Sequence, residues 1–279
     1  MPQDLREEVP DLFICDWSNI VHRAFHGLGG YGDLYALDIV KMAQNITIET
    51  AIHHCFVGAR IAYVMDGGYS GRKQIYPEYK ANRTETTDRP VGLTVALTAE
   101  FPKSLFLEWR GTPVRVHGFE SDDVMIALAR EQVRRGGKAF IFSNDGDMHQ
   151  AVQDGITVLR PRKYPDPPEI YDYEKVVQEY GFTPDYIPHY KALKGDTADN
   201  IPTVPRVGHG TACKLIARYG TIQGVIRAAV DEALTPVVSR NIREYRETIF
   251  LNFRLVTPVT VPGIPKVYDT IMAGNPAIV

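Results

Sequence analysis

Cysteine is scarce in this sequence, and this scarcity excludes a disulfide framework. Of the 279 residues only three are cysteine. Cys15, Cys55 and Cys213 lie far apart and are flanked by apolar residues. An odd number of isolated thiols is typical of proteins in a reducing compartment and forms no zinc-binding pattern. We therefore expect buried free thiols and a cytoplasmic location.

Long hydrophobic runs are also missing. No segment approaches the 18 or so consecutive apolar residues that a membrane-spanning helix requires. The first eight residues are polar and include Asp4, Glu7 and Glu8, whereas a signal peptide needs a basic start and an apolar run. We expect neither membrane association nor secretion.

The third absence is an excess of positive charge. The chain has 31 Lys and Arg residues against 34 Asp and Glu residues, a net charge of -3. Proteins that bind nucleic acid usually carry excess Lys and Arg. The balance therefore argues weakly against nucleic acid, unless the acidic residues are concentrated at one place.

Short apolar runs that end at aspartate are the clearest feature present. Runs over residues 12–16, 61–66 and 139–145 predict buried parallel strands, with weaker strand patterns at 112–116 and 156–159. Helical patterns lie between them, at residues 37–57, 91–109 and 121–134. This alternation predicts an α/β fold with a mostly parallel central sheet and flanking helices.

The pattern changes after a proline-rich stretch that begins at Pro161. Beyond it, the periodicity is mostly helical, at residues 173–180, 186–193, 211–219, 222–233 and 239–253. We predict two units: an α/β core over residues 1–170 and a helical region over residues 171–279.

Nine acidic residues stand where such a fold would gather them. Three follow predicted strands, whose carboxyl ends form the ligand-binding edge of an α/β sheet. The others open a predicted helix, follow Asp145 by two residues, or lie in a late loop. They are Asp16, Asp66, Glu120, Asp122, Asp123, Asp145, Asp147, Asp196 and Asp199. Each has an ordinary alternative role, as a helix cap or turn residue.

Together, the nine acids suit divalent cations. Oxygen ligands without paired His or Cys favour Mg²⁺ or Mn²⁺ over zinc. Nine carboxylates are too many for one ion and fit two or more, the arrangement that serves in-line attack on a phosphodiester. Without these acids, the 31 basic residues outnumber the remaining acids by six, so the objection from net charge weakens.

Residues 67–90 predict an arch over this edge. The segment begins with three glycines among residues 67–71 and continues with four basic residues and two interleaved tyrosines. They are Arg72, Lys73, Tyr76, Tyr79, Lys80 and Arg83. Cations beside aromatic rings suit single-stranded nucleic acid. A solvated surface loop is the alternative.

Five segments together resemble the 5′ nucleases of bacteria and phages. This family comprises structure-specific 5′→3′ exonucleases and flap endonucleases, and includes the N-terminal nuclease domain of bacterial DNA polymerase I. The segments lie at residues 16–26, 66–83, 118–124, 143–147 and 191–202, where the last reads KALKGDTADNIP. The resemblance implies a PIN-like or resolvase-like core, a helical arch and a helix–turn–helix of helix-hairpin-helix type.

The resemblance also implies roles for particular residues. Glu120, Asp122, Asp145 and Asp147 would lie nearest the catalytic ions, and Asp196 and Asp199 would support the second ion. Lys80 and Arg83 would reach the scissile phosphate as catalytic residues. The DNA contacts would come from Arg23, Arg72, Tyr79, Arg206, Gly208, Gly210, Thr211 and Lys214. The family often holds a monovalent cation such as K⁺ at the helix–turn–helix.

These observations lead to an expected function. We expect a standalone, monomeric, Mg²⁺-dependent nuclease of DNA replication or repair in a bacterial or phage-infected cell. Its substrates would be DNA with 5′ ends or 5′ flaps, and also RNA–DNA hybrids. The alternatives are a related RNase H-like ribonuclease of the same fold that removes RNA primers, and a structure-specific DNA-binding protein that has lost catalysis.

Overall fold

The protein is built around a seven-stranded sheet. The computed structural model describes residues 9–30, 36–55, 58–68, 71–82, 91–98, 111–163 and 166–279. The strands are β1 (Leu12–Asp16), β2 (Arg60–Val64), β3 (Gly111–Arg115), β4 (Ala139–Phe142), β5 (Ile156–Arg160), β6 (Glu169–Tyr171) and β7 (Ala277–Ile278). Their order is β6-β5-β4-β1-β2-β3-β7. Only β6 runs antiparallel to its neighbour in this sheet.

Helices cover both faces of the sheet. In the first half they are α1 (Trp17–Gly27), α2 (Ala36–His54), α3 (Arg72–Ile75), α4 (Val91–Thr98) and α5 (Ser121–Arg134). In the second half they are α6 (Tyr173–Tyr180), α7 (Ile187–Lys194), α8 (His209–Tyr219), α9 (Ile222–Val230), α10 (Pro236–Glu244), α11 (Arg246–Val256) and α12 (Ile264–Met272). Two 3₁₀ helices lie at Gly146–Ala151 and Pro184–Tyr186.

The central strand shows why the sheet is buried on both sides. All five residues of β1 are buried, and successive side chains of a strand point to opposite faces. Leu12 and Ile14 join the hydrophobic cluster that includes α5 and the second half of the chain. Phe13 and Cys15 join the cluster formed with α1 and α2. A continuous apolar run is therefore needed at this position.

The predicted α/β architecture with a mostly parallel sheet is confirmed. The strand patterns at residues 12–16, 61–66, 112–116, 139–145 and 156–159 correspond to β1, β2, β3, β4 and β5. Of the helix predicted over residues 91–109, residues 99–109 lie outside the described residues. The helix predicted over 239–253 is two helices, α10 and α11, which meet at Tyr245.

Among the described elements, α1, α12, β6, β7 and the 3₁₀ helix at Gly146–Ala151 had no counterpart in the sequence analysis. The helix α1 begins directly after β1, without the loop that would have separated two patterns. The last strand, β7, has only two residues and pairs with β3. Strands this short carry no periodicity and form because the neighbouring strand is already in place.

The two halves of the chain share one core. A single hydrophobic cluster contains Leu12 and Val124 from the first half and Ile216 and Ile271 from the second. The division between residues 170 and 171 therefore stays a prediction. No helix in the described part of the chain is long and apolar enough to cross a membrane.

Candidate metal centre and active site

Three strand ends bring three aspartates to one edge of the sheet. Asp16 is the last residue of β1, Asp66 follows β2, and Asp145 follows β4. Because β1 lies between β2 and β4 and all three run parallel, the carboxyl ends of these strands are neighbours. The sheet thereby gathers carboxylates that are up to 129 positions apart in the chain.

Each of these carboxylates also organises the turn that follows its strand. Asp16 accepts hydrogen bonds from the backbone N–H of Asn19 at 3.2 Å and from Ser143 Oγ at 2.7 Å. Asp66 accepts one from the N–H of Gly68 at 3.2 Å, and Asp145 accepts one from the N–H of Asp147 at 2.8 Å. Capping therefore fixes these side chains in place without using all of their oxygen lone pairs.

A cleft of about 260 Å³ opens at this edge, and we call it the first cleft. Its wall carries five of the predicted acids together with one buried cation. The acids are Asp16, Asp66, Glu120, Asp122 and Asp145, and the cation is Lys80; Ser18, Asn19, His22 and Ser121 complete the lining.

Negative charge in the first cleft is poorly compensated. Burial raises the pKa of Asp122 well above its usual value, the Asp145 and Asp16 carboxylates raise it further, and Lys80 opposes them. Burial also raises the pKa of Asp16, against the hydrogen bond from Ser143. Close carboxylates repel one another, and a cation placed among them relieves that repulsion.

A second cleft, of about 200 Å³, shares Asp145 with the first. It is lined by Asp147 and Asp196, two lysines, Gly146, Tyr180, Ile187 and Tyr190. The Lys191 ammonium donates hydrogen bonds to Asp147 Oδ1 and, at 2.7 Å, to Asp196 Oδ2. Burial and the Asp145 carboxylate raise the pKa of Asp147 to about 6, although Lys191 lowers it.

Behind the first cleft, a buried arginine holds two carboxylates, and we call this group the Arg72 clamp. Arg72 donates to Glu120 Oε2 at 2.7 Å and forms a bidentate pair with Asp123, at 2.7 and 2.9 Å. Its Nε donates to the carbonyl of Leu255 at 2.8 Å, at the end of α11. The Asp123 carboxylate also accepts from the N–H of Val259 at 3.0 Å and is only 1% exposed.

The nine predicted acids are therefore brought close together but not into one pocket. Seven line the two clefts. Asp123 lines neither cleft and lies in the Arg72 clamp. Asp199 contacts Tyr79 and Lys80, with 3.8 Å between Lys80 Nζ and Asp199 Oδ2. The role of all nine as metal ligands stays a prediction.

The predicted catalytic lysine points into the first cleft. Lys80 is 7% exposed, and its Nζ donates to Glu120 Oε1 at 2.8 Å. Its backbone N–H donates to the carbonyl of Asp199 at 2.9 Å, and its φ of 54° places it in the left-handed region. Arg83, the other predicted catalytic residue, lies outside the described residues, as does the rest of the predicted arch from residue 83 to residue 90.

Two of the predicted DNA contacts are turned inward. Arg72 is held in the clamp, and the ring of Tyr79 is buried against Ile201, Leu255 and Val256. The Tyr79 hydroxyl donates to Glu120 Oε2 at 3.1 Å. Arg72 and Tyr79 therefore support the acidic site. Their contact with DNA stays a prediction.

Arg23 lies in a different place from the predicted metal ligands. It is half-buried on α1 and lines a separate cleft of about 370 Å³, together with His53, His54 and Arg162. The structure does not bring it into either acidic cleft.

The segment of the predicted helix–turn–helix includes the N-terminus of α8. Gly208 is the N-cap of α8, and a Cβ placed on Gly208 or Gly210 would meet no atom within 4 Å. Arg206, Gly208, Gly210 and Lys214 are exposed, and Thr211 is half-buried. Arg206 has a φ of 67°. The N-terminus of α8, where free N–H groups favour an anion, is therefore open at the surface.

Two supporting residues were missed by the sequence analysis, although both lie in the quoted segments. Ser143 donates to Asp16, and Lys191 joins Asp147 to Asp196. Lys191 stands five positions before Asp196, and the chain turns between them at Gly195, which has a φ of 72°. In the sequence, the only indication of either residue was its position in a segment that contains several other candidate residues.

The donor chemistry fits hard divalent cations. The clefts offer carboxylate oxygens, which Mg²⁺ and Mn²⁺ prefer. Within the ranges that the structure describes, no group of three or more His, Cys, Asp or Glu side chains is placed so that it could hold one ion. Instead, the ammonium groups of Lys80 and Lys191 stand among the carboxylates.

Comparisons with known proteins agree with this architecture. Residues 11–181 match the family described as 5′-3′ exonuclease, N-terminal resolvase-like domain, and residues 182–272 match 5′-3′ exonuclease, C-terminal SAM fold. Together these two matches cover most of the chain.

Similar sequences include both short and long proteins. A 5′-3′ exonuclease of Aquifex aeolicus is 32% identical over 224 residues, which are 77% of this chain and 72% of the relative. The DNA polymerase I of Mycobacterium bovis is 34% identical over 240 residues, 81% of this chain. The chain spans only about a quarter of that polymerase, since the match covers 25% of it.

A solved structure shares the fold. The D15 flap endonuclease of bacteriophage T5, determined as a pseudo-enzyme-product complex with DNA and metal ions, matches with a TM-score of 0.69. It is 19% identical, and the match covers 95% of this chain and 93% of that one. At this identity, the likeness shows the fold alone.

Proposed function

The chain belongs to the 5′-3′ exonuclease family, and on this premise we propose that it hydrolyses DNA phosphodiesters at 5′ ends and 5′ flaps with two or more Mg²⁺ or Mn²⁺ ions. One observation carries the proposal. The carboxyl edge of the sheet gathers five acids and Lys80 around one cleft, where burial and, after it, the Asp145 and Asp16 carboxylates raise the pKa of Asp122 well above its usual value.

The sheet holds carboxylates of the first cleft in fixed positions, which suits metal-dependent hydrolysis. Asp16, Asp66 and Asp145 are held by three adjacent parallel strands and by hydrogen bonds to the turns that follow. Fixed ligands of this kind orient a cation without reorganising during the reaction. When bound, divalent ions lower the pKa of a coordinated water and neutralise charge on phosphate oxygens.

Lys80 supplies a second source of positive charge. Its ammonium is buried at the cleft wall, and Glu120 and Asp199 hold it there. A preorganised cation in a partly desolvated site stabilises the negative charge that develops on a phosphate during attack. We assign this role to Lys80 and, from the family resemblance, to Arg83.

The open end of α8 serves duplex binding in this proposal. Backbone N–H groups at Gly208 and Gly210 can approach a phosphate, because both residues are exposed and a Cβ placed on either would meet no atom within 4 Å. Arg206 and Lys214 add exposed positive charge on the same segment. A monovalent cation such as K⁺ at this turn, and an action in DNA replication or repair, belong to the same proposal.

A flap-cleavage assay tests the function. A DNA duplex with a 5′ flap, labelled at either end, is incubated with the protein in Mg²⁺ or in EDTA, alongside a version whose flap strand is RNA. We expect Mg²⁺-dependent cleavage near the junction of the DNA flap and release of nucleotides from recessed 5′ ends. Faster cleavage of the RNA version would favour the ribonuclease alternative.

Two variants complete the test. Asp145→Asn should abolish cleavage while DNA binding persists, because Asp145 lines both clefts. Cleavage by the wild-type protein at the same rate in EDTA would overturn the metal-dependent mechanism. DNA binding without cleavage under any metal condition would indicate a binding protein that has lost catalysis.

A further inference from the structure

The second cleft already contains a cation of the protein's own. Lys191 is only 7% exposed, and its ammonium bridges Asp147, on the 3₁₀ helix after β4, and Asp196, in the loop after α7. The two carboxylates come from different halves of the chain. The Lys191 ammonium therefore lies between two carboxylates that are predicted metal ligands.

The first cleft also has a lysine of its own, but that lysine compensates a smaller share of the acids. Lys80 pairs with Glu120, one of the five acids that line the first cleft, and with Asp199 outside it. Lys191 pairs with two of the three acids that line the second cleft. The need for an external cation is therefore greater in the first cleft than in the second.

We propose that the Lys191 ammonium takes the place of a divalent ion between Asp147 and Asp196, and that an ion entering the second cleft must displace it. This inference rests on the metal-dependent function proposed above. It makes the two clefts unequal: the first binds its ion tightly, whereas the second binds weakly because the same carboxylates must first release Lys191.

The side chain of Lys191 is suited to such an exchange. Lysine carries its charge on a flexible four-carbon stem, and its ammonium is strongly hydrated in water. Lys191 lies in the last turn of α7, beside a cleft that opens to solvent. The ammonium can therefore leave the carboxylates by rotation about its own side-chain bonds, without movement of the helix.

Calorimetric titration of Mn²⁺ into the metal-free protein tests the proposal without measuring activity. We expect a tight and a weak binding phase in the wild type. Lys191→Met, which keeps the length of the stem and removes the charge, should tighten the weak phase by about tenfold and change the tight phase by less than about twofold. Asp147→Asn should remove the weak phase and thereby assign it to the second cleft.

Two further variants serve as controls. Lys194→Met removes the same charge from the same cleft, but none of the ion pairs described joins Lys194 to these carboxylates, so it should change the weak phase by less than about threefold. Lys191→Arg keeps a cation at the position and should leave the weak phase weak. Thermal unfolding of each metal-free variant verifies that it is folded before titration.

The outcomes separate this inference from the proposed function. Two phases that Lys191→Met leaves unchanged or weakens would overturn the displacement of Lys191 and leave the metal-dependent function standing. Equal tightening by Lys191→Met and Lys194→Met would also overturn it, because a general charge effect would then suffice. Absence of Mn²⁺ binding in every variant would remove the proposed function, and this inference with it.

Discussion

The first cleft and the Arg72 clamp both use acidic residues from the first turn of α5, but they differ in how far the carboxylates are neutralised. Burial raises the pKa of Asp122 well above its usual value, and the neighbouring Asp145 and Asp16 carboxylates raise it further. Asp123, the next residue, forms a bidentate pair with Arg72 and is buried. Successive side chains of a helix point about 100° apart, so adjacent acids enter different surroundings.

This contrast shows that an acidic motif can serve folding and chemistry at once. The clamp neutralises its acids with a cation from the chain and ties α3 and α5 to the end of α11. The cleft leaves its acids without equal compensation, which costs stability and makes them suitable for an external cation. Glu120 belongs to both regions, since it contacts Arg72 and Lys80.

Breaking the clamp should have the largest effect on stability. Arg72→Met should lower the free energy of unfolding by about 3–5 kcal/mol, because it removes the cation that neutralises the buried Asp123 carboxylate. Denaturant unfolding in EDTA measures this change. As the matched opposite, Asp122→Asn should raise the stability of the metal-free protein by about 1 kcal/mol, since it removes repulsion. Equal losses in both variants would show that the two regions do not differ.

The next prediction concerns the pH dependence of stability, to which the buried neutral His149 contributes. His149 stacks on Tyr171 with ring centroids 4.0 Å apart and is hydrogen-bonded to the Tyr180 hydroxyl at 3.0 Å. Burial lowers the pKa of His149 from 6.5 to about 4. The unfolded chain therefore takes up this proton first as pH falls. Stability from this group is complete above about pH 6.5 and decreases by roughly 3 kcal/mol toward pH 4.

Unfolding by urea between pH 7.5 and pH 4.5 measures this loss. His149→Phe keeps an aromatic ring on Tyr171 and cannot be protonated, so its stability should depend less on pH over the same interval. An unchanged pH dependence in this variant would assign the acid sensitivity to other groups.

Lys80 contacts Glu120, which belongs to both the first cleft and the Arg72 clamp. A substitution of Lys80 tests whether this lysine takes part in catalysis. Lys80→Ala should slow single-turnover cleavage by about 100-fold, because a cation is lost beside the reacting phosphate. The protein should remain folded, since Glu120 keeps its contact with Arg72. Lys73→Ala, an exposed lysine on the same segment, is the control and should slow cleavage little. Similar small effects from both variants would show that the segment acts only as a general basic patch.

The smallest expected effect lies outside both regions, at α8. Lys214→Ala should weaken binding to any duplex sequence by a few-fold and reduce the slope of log affinity against log salt by about one. Fluorescence anisotropy at several salt concentrations measures both quantities. Lys266→Ala, an exposed lysine on α12, should leave them unchanged. A change in sequence preference would mean that α8 reads bases.

Much of the core architecture could be predicted from local patterns. The apolar run of β1 predicts a strand buried on both faces, and its terminal Asp16 predicts a position at the ligand-binding edge. Elements without a pattern of their own were missed: β7 has only two residues and depends on pairing with β3. The helix α1 follows β1 without an intervening loop, because Asp16 ends one element and caps the next.

The sequence by itself determined that Asp16, Asp66 and Asp145 meet, since three apolar runs that end in aspartate become neighbouring parallel strands. Only the tertiary structure decided which of the nine acids are paired with cations. Arg72 reaches a carbonyl 183 positions away, and Lys191 reaches a carboxylate 44 positions away. Local periodicity reports which face of an element is buried, but the partner of a buried charge depends on contacts between elements that are distant in the chain.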